Sequence, residues 1–314
     1  MQPTGSREDR HTIVVQAPAA RVYELIADVE QWPQLFPPTI HAERIEHSGN
    51  QERIRIWATA NGDVKGWTSR RTLDPAARRI DFRQEVSAPP VAAMGGSWIL
   101  EPLDEHSCRV VLLHDYRAVD DDPEKLEWIS QAVDRNSTAE LAALKTGVET
   151  LASGDDRLLS FEDSVRVHGS AKDLFDFINR ADLWAERLPH VARVELTEDT
   201  PGLQILEMDT RSTDGTTHTT RSVRVCLDNQ RIVYKQLVLP ALLSLHTGRW
   251  TFVEDGDSTI ATSQHTVVIN TDRITDVLGA GADLAQARKA VREALGANSR
   301  ATLGLAKAYA EERR

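Results

Sequence analysis

Hydrophobic positions along this chain change their period twice, and do so in the same order in each half. Ile13 and Val15 alternate with polar residues, the period of a half-buried strand. Pro18 then suits a first helical turn, where its missing N–H has no partner to lose, and Val22, Leu25, Ile26 and Val29 follow at helical spacing. The helix is predicted to stop before Pro33, in a loop of Trp32, Leu35, Phe36, Pro37 and Pro38. From Ala42 to Val119 short runs of strand character are separated by Gly49-Asn50, Asn61-Gly62, Asp74-Pro75 and the polar stretch 104–107, which predicts an antiparallel meander. Asp120, Asp121 and Asp122 offer N-caps to a helical region opened by Pro123. Leu126, Ile129 and Val133 fit its first part; Leu141, Leu144, Val148 and Leu151 fit a longer second part.

The order then repeats. Shifting residues 164–254 back by 152 positions sets Trp184 on Trp32, Pro189 on Pro37, Gln236 on Gln84, Gly248 on Gly96 and Trp250 on Trp98. Near the end the offset is 162, where Asn298-Ser299 matches Asn136-Ser137 and Leu303 and Lys307 match Leu141 and Lys145. A period of about 150 residues is far above the roughly 20–50 of solenoid repeats, so each copy is long enough for a domain with its own core. The expected boundaries are 1–152 and 153–314, joined by the polar linker Ser153-Gly154-Asp155-Asp156. Gly279 and Gly281 predict a break in the second helical tail. Strand, short helix, meander and long terminal helix make an α+β order. A long helix across a curved sheet is the helix-grip architecture, which leaves an interior cavity where function would sit.

Composition narrows the class. A hydrophobic content of 40% and a mean hydropathy of −0.39 fit a globular chain, and no apolar run approaches the roughly 18–20 residues of a membrane span. The polar start MQPTGSREDR lacks a signal-like apolar stretch. A net charge of −11 argues against nucleic acid or an anionic membrane as partner. Cys108 and Cys226 lie far apart with no metal-ligand spacing and read as reduced thiols. The expectation is a cytoplasmic protein without a structural metal.

Strand parity selects candidates for the cavity. Trp67, Ser69, Arg71 and Leu73 share one face of a predicted strand, while Thr68, Arg70 and Thr72 share the other. An arginine among apolar residues needs either a salt bridge or a ligand. Both readings stay open, the second because guanidinium offers a fixed charge and a rigid fork of donors. Gln84 and its counterpart Gln236 are further polar candidates. His114 ends an apolar strand, and His265 matches it if one residue is deleted from the preceding turn. Trp32, Trp98, Trp184 and Trp250 fit core as well as site; Trp67, with Thr219 in its place at constant offset, leans toward the site. At that offset Val223 replaces Arg71, and Arg221 is the expected cation of the second copy.

Several stretches resemble bacterial type II polyketide aromatase/cyclases: Glu30 to Pro37, Trp67 to Pro75, Gly95 to Trp98, Leu188 to Val191, His218 to Ser222 and Val233 to Gln236. The two-copy layout is similar to the didomain subclass, across nearly the whole chain. The resemblance implies a START/Bet v 1-like helix-grip fold. It also implies a pocket that receives a poly-β-ketone on an acyl carrier protein, alongside other components of a type II polyketide synthase. The implied reaction is regiospecific C7–C12 first-ring aldol cyclization, dehydrative aromatization, or both, without a cofactor. Carried over by position, the catalytic set is Arg71, Ser69 and His114, with Asp134 as an acidic residue on the last helix. Trp32, Phe36 and Trp98 fall on pocket aromatics; Thr39 departs from the tyrosine of some single-domain members.

Under that implication Arg71 polarises a carbonyl, His114 moves protons, and Trp32, Phe36, Trp67 and Trp98 wall the forming ring, with Ser69 and Gln84 positioning oxygens. Arg221, Tyr234, Gln236, Trp250 and His265 would line the second pocket, which is either active or supports the first. The rival class is a non-catalytic START-like carrier of small hydrophobic ligands, which could use the same arginine for a carboxylate. Docking of an acidic carrier protein onto an acidic chain would need a local basic patch, for which Arg70, Arg78, Arg79 and Arg83 are candidates.

Overall fold

The computed structural model describes residues 6–313 apart from 61–62, 153–155, 212–214, 216 and 228. The expected Asn61-Gly62 turn and most of the expected linker lie outside the described residues. The chain divides into two compact units, Met1–Asp155 and Asp156–Arg314.

Unit 1 runs β1 (Ser6–Val15), α1 (Ala19–Ala27), α2 (Trp32–Leu35), β2 (Thr39–Ser48), β3 (Gln51–Ala60), β4 (Asp63–Asp74), β5 (Arg79–Gln84), β6 (Val91–Pro102), β7 (Cys108–Ala118) and α3 (Pro123–Ala152). Its strands form one antiparallel sheet in the order β1-β7-β6-β5-β4-β3-β2, so the first strand closes on the last. Unit 2 repeats the plan: β8 (Leu158–Val167), α4 (Ala171–Asn179), α5 (Trp184–Arg187), β9 (Val191–Thr200), β10 (Leu203–Arg211), β11 (Thr217–Leu227), β12 (Arg231–Val238), β13 (Leu243–Asp255), β14 (Ser258–Ile269), α6 (Ile274–Leu278) and α7 (Leu284–Glu311). Its sheet order is β8-β14-β13-β12-β11-β10-β9. The α+β helix-grip expectation holds in both units.

Local chemistry explains the boundaries. Pro18 caps α1, and Asp122 caps α3 by accepting from the backbone N–H groups of Glu124 and Lys125 at 2.8 and 3.2 Å. The second terminal helix starts on a reciprocal capping box between Asp283 and Gln286. The predicted break before it is real: α6 ends at Leu278, and Gly279 and Gly281 take φ values of 95° and 84°, which a side chain would resist. Two expectations shift. Pro33 sits inside the short α2 instead of ending a helix, and the tail of unit 1 is a single helix from Pro123.

Each long helix lays an apolar stripe on its sheet. In α3 this stripe is Ile129, Val133, Leu141, Leu144 and Val148, all buried. Its later residues pack with Val22, Leu25, Ile26, Ile80, Trp98 and Leu112 in the main core of unit 1. Unit 2 packs Leu303, Ala306 and Ala310 of α7 against Leu174, Ile178, Trp184, Ile232 and Trp250. Trp98 and Trp250 are thus core residues, which corrects their placement as pocket walls: the position recurs because it is packed.

Candidate active site

The register of each sheet sets an arginine and a histidine on one row. In unit 1 Arg71 lies across from Phe82, Phe82 from Gly96, and Gly96 from His114. In unit 2 the row is Arg224, Tyr234, Gly248, His265. Side chains paired directly across strands share a face, so both rows point inward together. The glycine makes room for the aromatic ring: a Cβ on Gly248 would lie 2.4 Å from the Tyr234 hydroxyl, and one on Gly96 would lie 2.8 Å from Cζ of Phe82.

This register corrects the expected cation of the second copy. Five residues separate the paired Arg211 and Thr217, against four between Thr59 and Val64, so β11 matches β4 at offset 153. Arg224 is therefore the counterpart of Arg71, and Arg221 is exposed on the opposite face. Three residues instead of four between Leu227 and Arg231 restore offset 152, which pairs Tyr234 with Phe82. His265 matches His114 with the one-residue deletion that the sequence required.

The arginines differ in their company. Arg71 is 2% exposed; its Nε donates to Glu52 Oε1 at 2.7 Å, and its Nη2 also reaches that oxygen. Nη1 and Nη2 further donate to the carbonyls of Ile26 and Ala27 at 2.9 and 2.6 Å, where the end of α1 favours a cation. Trp32 lies under the guanidinium, 5.3 Å from its ring centre, and donates its own Nε1 to Ile26 O at 3.0 Å. Four of the five donors of Arg71 are thus spent. The salt-bridge reading of this residue is the one the geometry matches. Arg224, equally buried, sits 5.0 Å from the ring centre of Trp184 and donates Nη2 to Ile178 O at 2.6 Å, while its Nη1 has no hydrogen-bond partner. Burial lowers the pKa of both, against the pull of Glu52 in unit 1.

The histidine ends of the rows differ too. His114 is half-buried, with Nδ1 3.3 Å from Ser137 Oγ of α3 and its ring edge-on to Phe82. His265 is buried within a polar cluster. Its Nδ1 lies 3.0 Å from the Tyr234 hydroxyl and 2.9 Å from His246 Nε2; its Nε2 lies 2.7 Å from Ser299 Oγ and 3.3 Å from Ser263 Oγ. Ser263 and Ser299 are 3.0 Å apart. Burial pushes His114 and His265 down to about 4 and His246 well below its ordinary value, so all three are neutral near pH 7. Burial also raises the Tyr234 hydroxyl, which keeps it a donor. The position of His246 in unit 1 is Met94.

The remaining candidates fall as follows. Ser69 is buried but donates to Arg83 O at 2.9 Å, so its hydroxyl serves the sheet. Trp67 packs with Trp32 against Val29, Ala42 and Ile56, and Phe36 is buried between Trp32 and Trp98. Gln84 accepts from Ser87 Oγ at 3.1 Å; Gln236 is half-buried with its Oε1 unpartnered. Asp134 is corrected: its side chain is 73% exposed and pairs at 2.9 Å with His11, because it lies one turn before Ser137 toward the open side of α3. The expected basic patch is corrected as well. Three of its four arginines, Arg70, Arg79 and Arg83, are paired with Glu85, Asp81 and Asp115.

Sequence reasoning missed Arg224, His246, Ser137 and Ser299, and also Glu140, a partly buried carboxyl one turn beyond Ser137 that burial raises to about 7. The recurrence of Asn-Ser at 136–137 and 298–299 was the available signal for the serines, and parity with Gly248 and Trp250 for His246. Among the described residues no group of three or more His, Cys, Asp or Glu converges as a metal-ligand set.

The profile of a family described as "Polyketide cyclase / dehydrase and lipid transport" matches residues 15–142 and 167–287, one match in each unit. The chain belongs to this family. Its relatives include the granaticin polyketide synthase bifunctional cyclase/dehydratase of Streptomyces virginiae, 52% identical over 94% of this chain and 97% of that protein. The actinorhodin polyketide synthase bifunctional cyclase/dehydratase of Streptomyces coelicolor is 49% identical over 99% of both chains. Among solved structures, the di-domain ARO/CYC BexL from the BE-7585A biosynthetic pathway superposes with a TM-score of 0.93 at 60% identity, covering 97% of this polyketide cyclase-family chain and 99% of its own. The di-domain ARO/CYC StfQ from the steffimycin biosynthetic pathway gives 0.90 at 35% identity, with the same coverage.

Proposed function

We propose that this protein is an aromatase/cyclase of aromatic polyketide assembly, and that the proton chemistry resides in unit 2. The substrate in this reading is a poly-β-ketone delivered by an acyl carrier protein of a type II polyketide synthase in the cytoplasm. The reaction is closure of the first ring between C7 and C12, its dehydration, or both. Likeness to the two-domain cyclase/dehydratases along the full chain supports the reaction class. The observation that carries the placement is the buried cluster of His265, His246, Tyr234 and Ser299, on one row with Arg224.

A poly-β-ketone cyclizes unaided in many registers, so holding one fold of the chain contributes mainly selectivity. Aldol closure then needs a proton removed from an activated methylene and charge stabilised on a carbonyl oxygen. His265, neutral and oriented by Ser299 and Ser263, takes a first methylene proton and passes it to the new alkoxide. In dehydration it takes the second proton of the same carbon, and the imidazolium, a strong acid because burial depresses its pKa, delivers it to the hydroxyl, which leaves as water. Tyr234 donates to the developing oxyanion, and Arg224 supplies the fixed positive charge. The contact between His246 and His265 gives the proton a second nitrogen to occupy while water leaves. Arg71, His114, Ser69, Trp32, Phe36, Trp67 and Gln84 of unit 1 shape and support the chain fold in this reading.

The test compares single variants in a reconstituted synthase with product analysis. Arg224→Ala and His265→Ala should abolish the correctly cyclized aromatic product, and Arg71→Lys should retain it. Wild-type product from His265→Ala would leave the placement in unit 2 untenable. An unchanged product spectrum on adding the wild-type protein would favour a ligand carrier.

A further inference from the structure

One position of the repeat faces the buried arginine from the neighbouring strand: Glu52 lies across from Arg71, and Gln204 across from Arg224. We propose that this position decides which guanidinium is open to a ligand. Gln204, being uncharged, leaves Arg224 free to hold the oxyanion of an aromatic or polyketone ligand, whereas Glu52 commits Arg71 to the fold. The inference rests on the placement of the chemistry in unit 2 and names the residue that selects it.

In unit 1 the Glu52 carboxylate is shared. One oxygen takes the Nε and Nη2 donors of Arg71, and the other accepts from Arg44 Nε at 2.5 Å. Arg44 is about half exposed, so water screens its charge, while Arg71 and Glu52 are both buried and form the tight pair. A ligand oxygen reaching Arg71 would compete with a carboxylate already in place and would have to break a buried pair.

Unit 2 dissolves this arrangement. Leu196 stands where Arg44 does, each strand residue facing its match on the next strand, and Gln204 stands for Glu52. The donors of the Gln204 amide are bonded elsewhere. Its Nε2 donates to Asn179 O and Asn179 Oδ1 at 3.2 Å and to Glu198 Oε2 at 2.7 Å. Glu198 is the nearby carboxylate, but it is exposed and accepts from Gly202 N at 2.8 Å with its other oxygen. The Gln204 Oε1 and the Arg224 Nη1 both lack hydrogen-bond partners. A buried guanidinium with an unspent donor, no carboxylate bonded to it among the described residues and an aromatic face beneath it is suited to an anionic oxygen. Arg224 also faces Tyr234, so an oxygen held there lies on the row that leads to His265.

The experiment uses the full chain and two substitutions at one position, Gln204→Glu and the near-isosteric Gln204→Met. Binding of 2-naphthoate, with uncharged 2-naphthamide as control, is read by titration calorimetry; turnover is read with the reconstituted synthase. Gln204→Glu should weaken 2-naphthoate by about tenfold or more, leave 2-naphthamide unaffected, lower kcat with little change in KM, and leave Tm equal or higher as a pair forms. Gln204→Met should keep both activities within about threefold of wild type. Three outcomes overturn the proposal: Gln204→Glu behaving as wild type, Gln204→Met losing as much as Gln204→Glu, or wild type failing to prefer the naphthoate. Intact turnover in His265→Ala would sink the placement of chemistry in unit 2, while the naphthoate binding of the Gln204 variants would still decide whether this position controls Arg224.

Discussion

Unit 1 and unit 2 have the same strand order, the same glycine under the same aromatic ring, and the same arginine under the end of the first helix. Their inward differences include Glu52 against Gln204, Phe82 against Tyr234, Met94 against His246 and Leu112 against Ser263. Each difference moves unit 1 toward a neutralised, packed interior and unit 2 toward unspent donors and mobile protons. Duplication kept the scaffold, which every core residue must satisfy, and let the polar groups on one row diverge. A buried arginine is therefore weak evidence of function by itself; what it is bonded to separates a structural group from a reactive one.

The largest expected contrast is at the histidines. His265→Ala should lower turnover by about 10²–10⁴-fold, as loss of a proton-transfer group does, and His114→Ala by less than about tenfold. Equal losses would erase the distinction between the units. Next is the hydroxyl that only unit 2 carries: Tyr234→Phe should cost about 10²-fold in kcat, while Phe82→Tyr should leave kcat within about twofold.

Stability should show the opposite bias. Glu52→Ala leaves Arg71 buried and unpaired and should lower unfolding stability by about 3–5 kcal/mol, whereas Gln204→Ala should cost about 1 kcal/mol, both by denaturant titration. Similar costs would mean that the two arginines are not in different states.

Acid should act through His114 in unit 1 and more strongly through the pair of His265 and His246 in unit 2. Burial holds His265 down to about 4 in the folded chain against 6.5 unfolded, and holds His246 well below its ordinary value, so the unfolded chain binds more protons between about 4 and 6.5. Stability is then present above about pH 6.5 and falls as pH drops toward 4. His246→Met, which copies unit 1, should make that fall shallower in urea titrations across the same range. The smallest effect expected is that of Asp134→Asn, at most about 1 kcal/mol, because its pairing with His11 is mostly solvent-exposed.

Much of this was legible in the sequence. The tryptophans and the strand, helix, meander, helix order identified a duplicated α+β fold, because periodicity and turn chemistry are local properties that each segment carries alone. Parity alone turned Ser69 and Arg71 inward. Parity could not say what lies opposite, since a partner such as Glu52 comes from another strand. Nor could it survive an extra residue in a turn: the shift between β10 and β11 exchanged exposed Arg221 for buried Arg224. Asp134 failed for a related reason: it lies within one turn of Ser137, and helical spacing alone could not show that its carboxylate is exposed and paired with His11 of another strand.

The amino-acid sequence by itself determined that the chain repeats one α+β plan and which faces of its helices and strands are apolar, since hydrophobic spacing needs no knowledge of neighbours. Tertiary structure alone decided which arginine is neutralised and which histidine gathers a tyrosine, a second histidine and two serines. Charge pairing and hydrogen bonding act over a few ångströms between residues dozens of positions apart, and only the strand register brings them within that reach.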